Sequence, residues 1–189
     1  MRLYIGLIHY PVYNKKYEKI ASAITNFDLH DISRLGKTYG VRRFLVITPL
    51  EDQQELINRI VKHWTKGYGA RYNAFRKEAI ELISVNASLD KAVEYIRELE
   101  GEEPLLVATD ASERDEKSLS YTEAITILDS DRSVFLLFGT AWGLHEEVLS
   151  RCEYVLEPVW GEKGYNHLSV RTAAGIILDR LAGGYYKSC

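Results

Sequence analysis

Apolar runs and apolar stripes alternate along this chain. Leu3 to His9 reads as a buried strand, Pro11 to Tyr13 as a turn, and Lys15 to about Ala23 as a short helix. Between residues 26 and 39, Leu29, Ile32, Leu35 and Gly36 recur at near-helical spacing, which predicts an amphipathic helix ending by Gly40. Arg43 to Thr48 is a strand-like run stopped by Pro49. From Glu51 to Trp64, the residues Leu56, Ile57, Ile60, Val61 and Trp64 form a 3.6-residue stripe. Thr65 to about Lys77 follows neither period and reads as irregular. Ile80 to Val85 predicts a strand, because Ser88 then caps a helix from Leu89 to Leu99. After a turn at Gly101 to Pro104, Leu105 to Thr109 is a buried strand and Tyr121 to Leu128 a short helix. Ser133 to Phe138 and Tyr154 to Val159 are two further strands, and a helix from Val170 to about Leu181 closes the pattern.

Continuous apolar strands separated by helices predict an α/β fold, a mostly parallel sheet with helices on both faces. With 189 residues and no repeat, low-complexity tract or flexible linker, one domain over 1–189 with an N-terminal strand extension is the economical reading. A net charge of −3 argues against a uniformly basic nucleic-acid wrapper, yet leaves room for a local basic patch. Cys152 and Cys189 lack metal spacing and read as free thiols of a reducing cytoplasm; no metal site is expected. The first ten residues carry an apolar run too short for a signal sequence, and no run approaches the roughly 20 residues of a membrane span.

Candidate chemistry concentrates in the last third. Gly139 directly follows a buried strand, where a side chain would block close approach to the backbone, and Gly143 permits a second tight turn. The next strand opens into Trp160-Gly-Glu-Lys-Gly-Tyr-Asn-His-Leu-Ser169. Two glycine-containing loops at the carboxyl ends of adjacent-looking strands are where an open α/β sheet builds a small-molecule site. Ser169 can cap the last helix, whose free first-turn amides suit a carboxylate or ribose. Ala173, Ala174 and Gly175 predict close packing against another element or another subunit. The plain alternative is a pair of turning glycines and a capped core helix. There is no Gly-Lys-Ser/Thr phosphate loop and no G-x-G-x-x-G.

Phe138-Gly-Thr-Ala-Trp-Gly-Leu144 resembles the second motif of the SPOUT superfamily of RNA methyltransferases. Leu156-Glu-Pro-Val-Trp-Gly161 with Tyr165-Asn-His-Leu-Ser-Val170 is similar to its third motif, and Arg34 to Gly40 resembles the first. Asp28 stands six residues before Arg34, where the 2′-O-methylating branch usually has Asn. The resemblance runs from about residue 26 to 181. It implies a C-terminal trefoil knot, a homodimer whose active site is completed across the interface, and S-adenosylmethionine (SAM) bound in a bent form. Carried over, the cofactor contacts fall on Leu137, Phe138, Gly139, Thr140, Gly143, Leu144, Leu156, Glu157, Pro158, Gly161, Asn166, His167, Leu168 and Ser169, with Thr109 at the neighbouring strand end.

Methyl transfer needs an acceptor held in line and a group that manages its proton. Arg34 is the candidate for orienting the acceptor or its phosphate; the alternative is a surface arginine of an amphipathic helix paired to Asp31 or a neighbour. His167 and His30 are candidate bases, His167 the better placed. Asp110 reads as a rim residue or a turn cap, and Glu157 as fixing the loop or a ribose hydroxyl. Lys62, Lys66, Arg71, Arg76 and Lys77 interleave with Trp64, Tyr68, Tyr72 and Phe75 without acids, a pattern suited to tRNA or rRNA contact alongside Arg34. The expectation is thus a SAM-dependent methyltransferase of a tRNA or rRNA nucleotide, with no membrane contact. The alternatives are a non-catalytic SAM- or RNA-binding module and an unrelated nucleotide-binding α/β enzyme.

Overall fold

The computed structural model describes residues 1–162 and 165–183, so Lys163, Gly164 and Cys189 lie outside the described residues. In chain order come β1 (Arg2–Ile8), β2 (Val12–Tyr13), β3 (Lys19–Ile20), α1 (Asn26–Thr38), β4 (Arg43–Ile47) and α2 (Glu51–Thr65). Then follow α3 (Tyr68–Tyr72), α4 (Ala74–Ile80), β5 (Ile83–Asn86), α5 (Leu89–Glu100), β6 (Leu105–Thr109), β7 (Ser118–Leu119) and α6 (Tyr121–Asp129). The last are β8 (Ser133–Gly139), α7 (Glu146–Leu149), β9 (Tyr154–Leu156) and α8 (Val170–Ala182).

Seven strands form one parallel sheet in the order β5-β4-β1-β8-β6-β9-β7. The two late strands enter gaps between earlier ones: β8 lies between β1 and β6, and β9 between β6 and β7. The expectation that the strands before the two glycine loops adjoin is therefore corrected, since β6 separates them. All carboxyl ends still share one edge, with Ile8 level with Gly139 and Thr109 level with Leu156.

Side chains of β1 alternate between two cores, as a period of two requires. Leu3, Ile5 and Leu7 pack under α1, α2, α6 and α8. Tyr4 and Ile8 pack on the other face with Leu89, Ala92 and Ile96 of α5 and Val148 and Leu149 of α7. Helices thus cover both faces, as the pattern predicts. Ala174 is buried in this chain's own core, and Gly175 approaches Leu35 of α1. Ala174 and Gly175 of α8 thus pack against elements of the same chain.

Three stretches differ from expectation. Residues 11–23 form the β2–β3 hairpin rather than a turn and a helix. Asn14 Oδ1 accepts from the amides of Lys16 and Glu18, and Tyr17 takes φ 58°, so the local side-chain turn outcompetes helical bonding. Residues 65–77 hold α3 and the start of α4 instead of an irregular segment; Asn73 caps α4 by accepting from the Arg76 amide. The strand expected at 80–85 begins only at Ile83, and the one expected at 154–159 stops at Leu156, two residues before Pro158. Cys152 is a buried free thiol, and burial pushes its pKa up to about 12, which leaves it inert.

Candidate active site

β8 ends at Gly139, and the chain immediately doubles back. A Cβ on Gly139 would stand 2.7 Å from the Leu144 nitrogen and 2.9 Å from the Gly143 carbonyl carbon, so only glycine fits. Gly143 has φ 101° and donates its amide to the Thr140 carbonyl. The β2–β3 hairpin braces this loop: the Tyr13 amide donates to the Gly143 carbonyl, and the Trp142 amide to the Tyr13 carbonyl, each at 3.0 Å. The side chains of Leu137, Phe138, Leu144 and Leu156 are buried, which leaves only main-chain groups of these residues for a ligand.

Behind the loop lies a polar chain that the sequence did not reveal. Thr140 Oγ1 donates to the Ile8 carbonyl at 2.9 Å, Ser22 Oγ meets Thr140 Oγ1 at 2.5 Å, and His9 Nδ1 meets Ser22 Oγ at 2.9 Å. A carbonyl only accepts, so the donation runs from His9 Nδ1–H to Ser22 to Thr140 to Ile8. His9 Nε2 is left a buried acceptor without a hydrogen-bond partner among the described residues. Burial lowers the His9 pKa to about 4, against a smaller upward pull from the Asp28 charge and the Ser22 bond.

The third-motif segment runs alongside. The Glu157 amide donates to the Leu119 carbonyl, and Glu157 Oε1 accepts from the Tyr121 amide at 2.8 Å, so this carboxylate fixes the start of α6. Pro158 is buried and Gly161 exposed; a Cβ on Gly161 would meet the Tyr165 carbonyl oxygen at 3.2 Å. Asn166 Nδ2 donates to the Ala111 carbonyl at 2.8 Å, which ties the loop before α8 to the loop after β6. Thr109 Oγ1 donates to the Leu137 carbonyl. Ser169 caps α8, accepting from the Thr172 amide, while Leu168 is exposed and His167 is exposed beside Tyr165.

Arg34 and Ser169 share an open cleft of about 570 Å³ between α1 and α8, with Asp31, Leu35, Thr38, Arg171 and Thr172. Asp31 pairs with Arg171 at 3.3 Å, and the same guanidinium holds Asp28 at 3.2 Å. The pairing of Arg34 with Asp31 is thereby corrected: Arg34 is an exposed cation without an ion pair among the described residues. Other candidates lie elsewhere. Asp110 accepts from the Ser112 amide and pairs with Arg114, which makes it a turn residue. His30 sits edge-on to Trp64, its pKa lowered chiefly by burial and then by the Arg76 charge. Lys66, Arg71 and Arg76 lie in the α2–α4 region, outside the lining of the cleft.

The family model of SAM-dependent RNA methyltransferases matches residues 2–183. The chain belongs to this family. A tRNA (guanine-N(1)-)-methyltransferase of Nitratidesulfovibrio vulgaris is 43% identical over 184 residues, covering 97% of this chain but only 43% of that protein. The chain thus spans less than half the length of that relative. A protein of Aquifex aeolicus is 35% identical over 95% of this chain and 87% of its own length. The SpoU methyltransferase AviRb of Streptomyces viridochromogenes has the same fold, with a TM-score of 0.59 and 17% identity over 98% of this chain and 60% of that chain. The expected α/β architecture, a parallel sheet covered by helices on both faces, is therefore the one present. SAM is the family's methyl donor, and the residues here fit it. Main-chain donors and acceptors at strand ends suit an adenosine, and a side chain at Gly139 would fill the turn that brings them together.

Proposed function

We propose that this chain transfers a methyl group from SAM to a nucleotide of tRNA, acting as a cytoplasmic homodimer. The unit of function is taken as one domain over 1–189 with the trefoil knot of its superfamily. One observation supports the reading: the segments starting at 137 and 156 leave one sheet edge, Asn166 ties the loop before α8 to the loop after β6, and Ser169 at the end of that loop shares a cleft with Arg34, which has no ion pair among the described residues. SAM supplies an electrophilic methyl group. Gly139, Thr140, Gly143, Pro158, Gly161, Asn166, His167, Leu168 and Ser169 are the proposed cradle, together with main-chain groups of Thr109, Leu137, Phe138, Leu144, Leu156 and Glu157. Arg34 orients the acceptor nucleotide or its phosphate, with Arg171 keeping Asp28 and Asp31 away from that task. His167, an exposed member of that cradle, is also the proposed base. Lys66, Arg71 and Arg76 are the proposed RNA contacts beyond the site.

The activity named for the Nitratidesulfovibrio relative belongs to a protein more than half of which lies outside the match, so guanine N1 is one candidate acceptor and a ribose oxygen another. Mass spectrometry of tRNA nucleosides after incubation with the chain and SAM tests the proposal. One new methylated nucleoside is expected, and its fragmentation separates base from ribose methylation. No methylated product, with no SAM binding by calorimetry at millimolar concentration, would sink it.

A further inference from the structure

The α2–α4 region carries an unusual surface. Between Leu56 and Lys77 there are six lysines and arginines and no acid. Arg59, Lys62, Lys66 and Arg71 are exposed and make no ion pair among the described residues. Among these cations stand three aromatic rings that no described residue covers: Tyr68 is 74% exposed, Tyr72 74% and Phe75 85%. Tyr68 and Tyr72, one turn apart on α3, lie near-parallel at 6.1 Å between centroids and 21° between planes. Trp64 anchors the group. The Arg76 guanidinium covers its ring at 4.7 Å, and Gly69 packs so close that an added Cβ would lie 2.6 Å from a ring carbon.

This surface connects to the cleft. His30 meets Trp64 edge-on at 5.3 Å, and Arg34 follows His30 by one turn of α1. His30 Nδ1 is buried there without a hydrogen-bond partner among the described residues. A strip therefore runs from Arg34 through His30 and Trp64 to Arg76 and the three exposed rings.

We infer that this strip is a docking platform for an unpaired RNA strand, whose bases stack on Tyr68, Tyr72 and Phe75 while Arg59, Lys62, Lys66 and Arg71 meet its phosphates. The inference rests on the RNA reading above and adds the form of the substrate: a target nucleotide flanked by single-stranded residues. Double helices hide their base faces, so exposed rings discriminate in favour of unpaired bases. Charge argues against a second copy as occupant. A two-fold interface would set these cations against their own image, and interface cores are depleted in charge.

Fluorescence anisotropy with a labelled 12-nucleotide single-stranded RNA, and with a hairpin duplex of equal phosphate number, tests the platform. The wild-type chain is expected to prefer the single strand at least about 10-fold, with a log–log salt slope near roughly −3 for four phosphate contacts. Tyr68→Ala/Tyr72→Ala/Phe75→Ala is expected to weaken single-strand binding about 100-fold and duplex binding little. Phe75→Ala alone, at the most exposed ring, is expected to weaken it about 10-fold and guards against a misfolded triple variant. SAM titration by calorimetry is run on every variant. Equal single-strand and duplex affinity in the wild type, or unchanged affinity in both variants with SAM binding intact, overturns the platform alone. Absence of SAM binding in the wild type overturns the methyltransferase reading instead. Sedimentation in which the triple variant turns a dimer into a monomer identifies a protein interface and overturns the proposal.

Discussion

Replacing Gly139 by Ala probes whether the loop after β8 is a fixed ligand cradle. The new Cβ would stand 2.7 Å from the Leu144 nitrogen, 2.9 Å from the Gly143 carbonyl carbon and 3.1 Å from its Cα. All three are main-chain atoms, so no rotamer change relieves the overlap. Ordinary contact begins near 3.5 Å, so the loop must retreat by roughly 0.6–0.8 Å at the two tightest points. That retreat pulls against the hydrogen bonds joining Trp142 and Gly143 to Tyr13. Overpacking of this kind costs about 1–3 kcal/mol, or roughly 2–12 °C in melting temperature for a chain of this length. Displacing the cradle's main chain is expected to weaken SAM binding about 10- to 100-fold, since each lost hydrogen bond is worth about 1 kcal/mol or more. Differential scanning fluorimetry reads the first effect and titration calorimetry the second. Gly143→Ala is the comparison: its Cβ meets nothing within 4 Å, and its φ of 101° carries only backbone strain of about 1–2 kcal/mol. A Gly139→Ala protein that melts lower yet binds SAM as tightly as wild type refutes the placement of the cofactor at this loop.

Three other outcomes follow from single residues. Arg34→Ala removes an exposed cation with no ion pair among the described residues and should leave the fold and SAM affinity intact while lowering methyl transfer about 100-fold, as for loss of one charge-stabilising donor; equal transfer by the variant in a tritium-release assay excludes the role. His9 has a folded pKa of about 4, below the unfolded value of 6.5, so the unfolded chain binds more protons between those limits. Its contribution is complete above about pH 6.5 and falls by about 3 kcal/mol as pH drops to 4; urea melts at pH 7.5 and 4.5 should show a smaller acid loss for His9→Gln, and an equal loss contradicts the buried neutral state. Lys117 Nζ donates to the carbonyls of Leu149, Ser150 and Cys152 at 3.4, 3.1 and 2.7 Å. Lys117→Met should therefore cost about 1–3 kcal/mol, and a thermal melt unchanged from wild type tells against those three hydrogen bonds.

The parts of the fold that were legible are those where burial imposes a period. β1, β4, β6 and β8 are covered on both faces and read as unbroken apolar runs. α1 advertises itself by its apolar stripe, and α5 by the capping residue Ser88. The β2–β3 hairpin left no such trace, because two-residue strands show no alternation and a single Asn14 side chain decides the turn. α3 and α4 misled for a different reason: Tyr68, Tyr72 and Phe75 point their apolar mass outward, so no apolar-in stripe forms. In the site, the glycine loops and the Ser169 cap were readable locally. The His9–Ser22–Thr140 chain was not, since its contacts span 13 and 118 residues. Nor was the state of Arg34, which depends on Arg171 reaching Asp31 from 140 positions away.

A co-crystal with SAM tests the central claim most directly. Folded cofactor density is expected against the main chain of residues 137–140, 156–158 and 166–169, with its methyl group open toward Arg34. Density in another pocket while those strand ends stay empty contradicts the whole reading of the site.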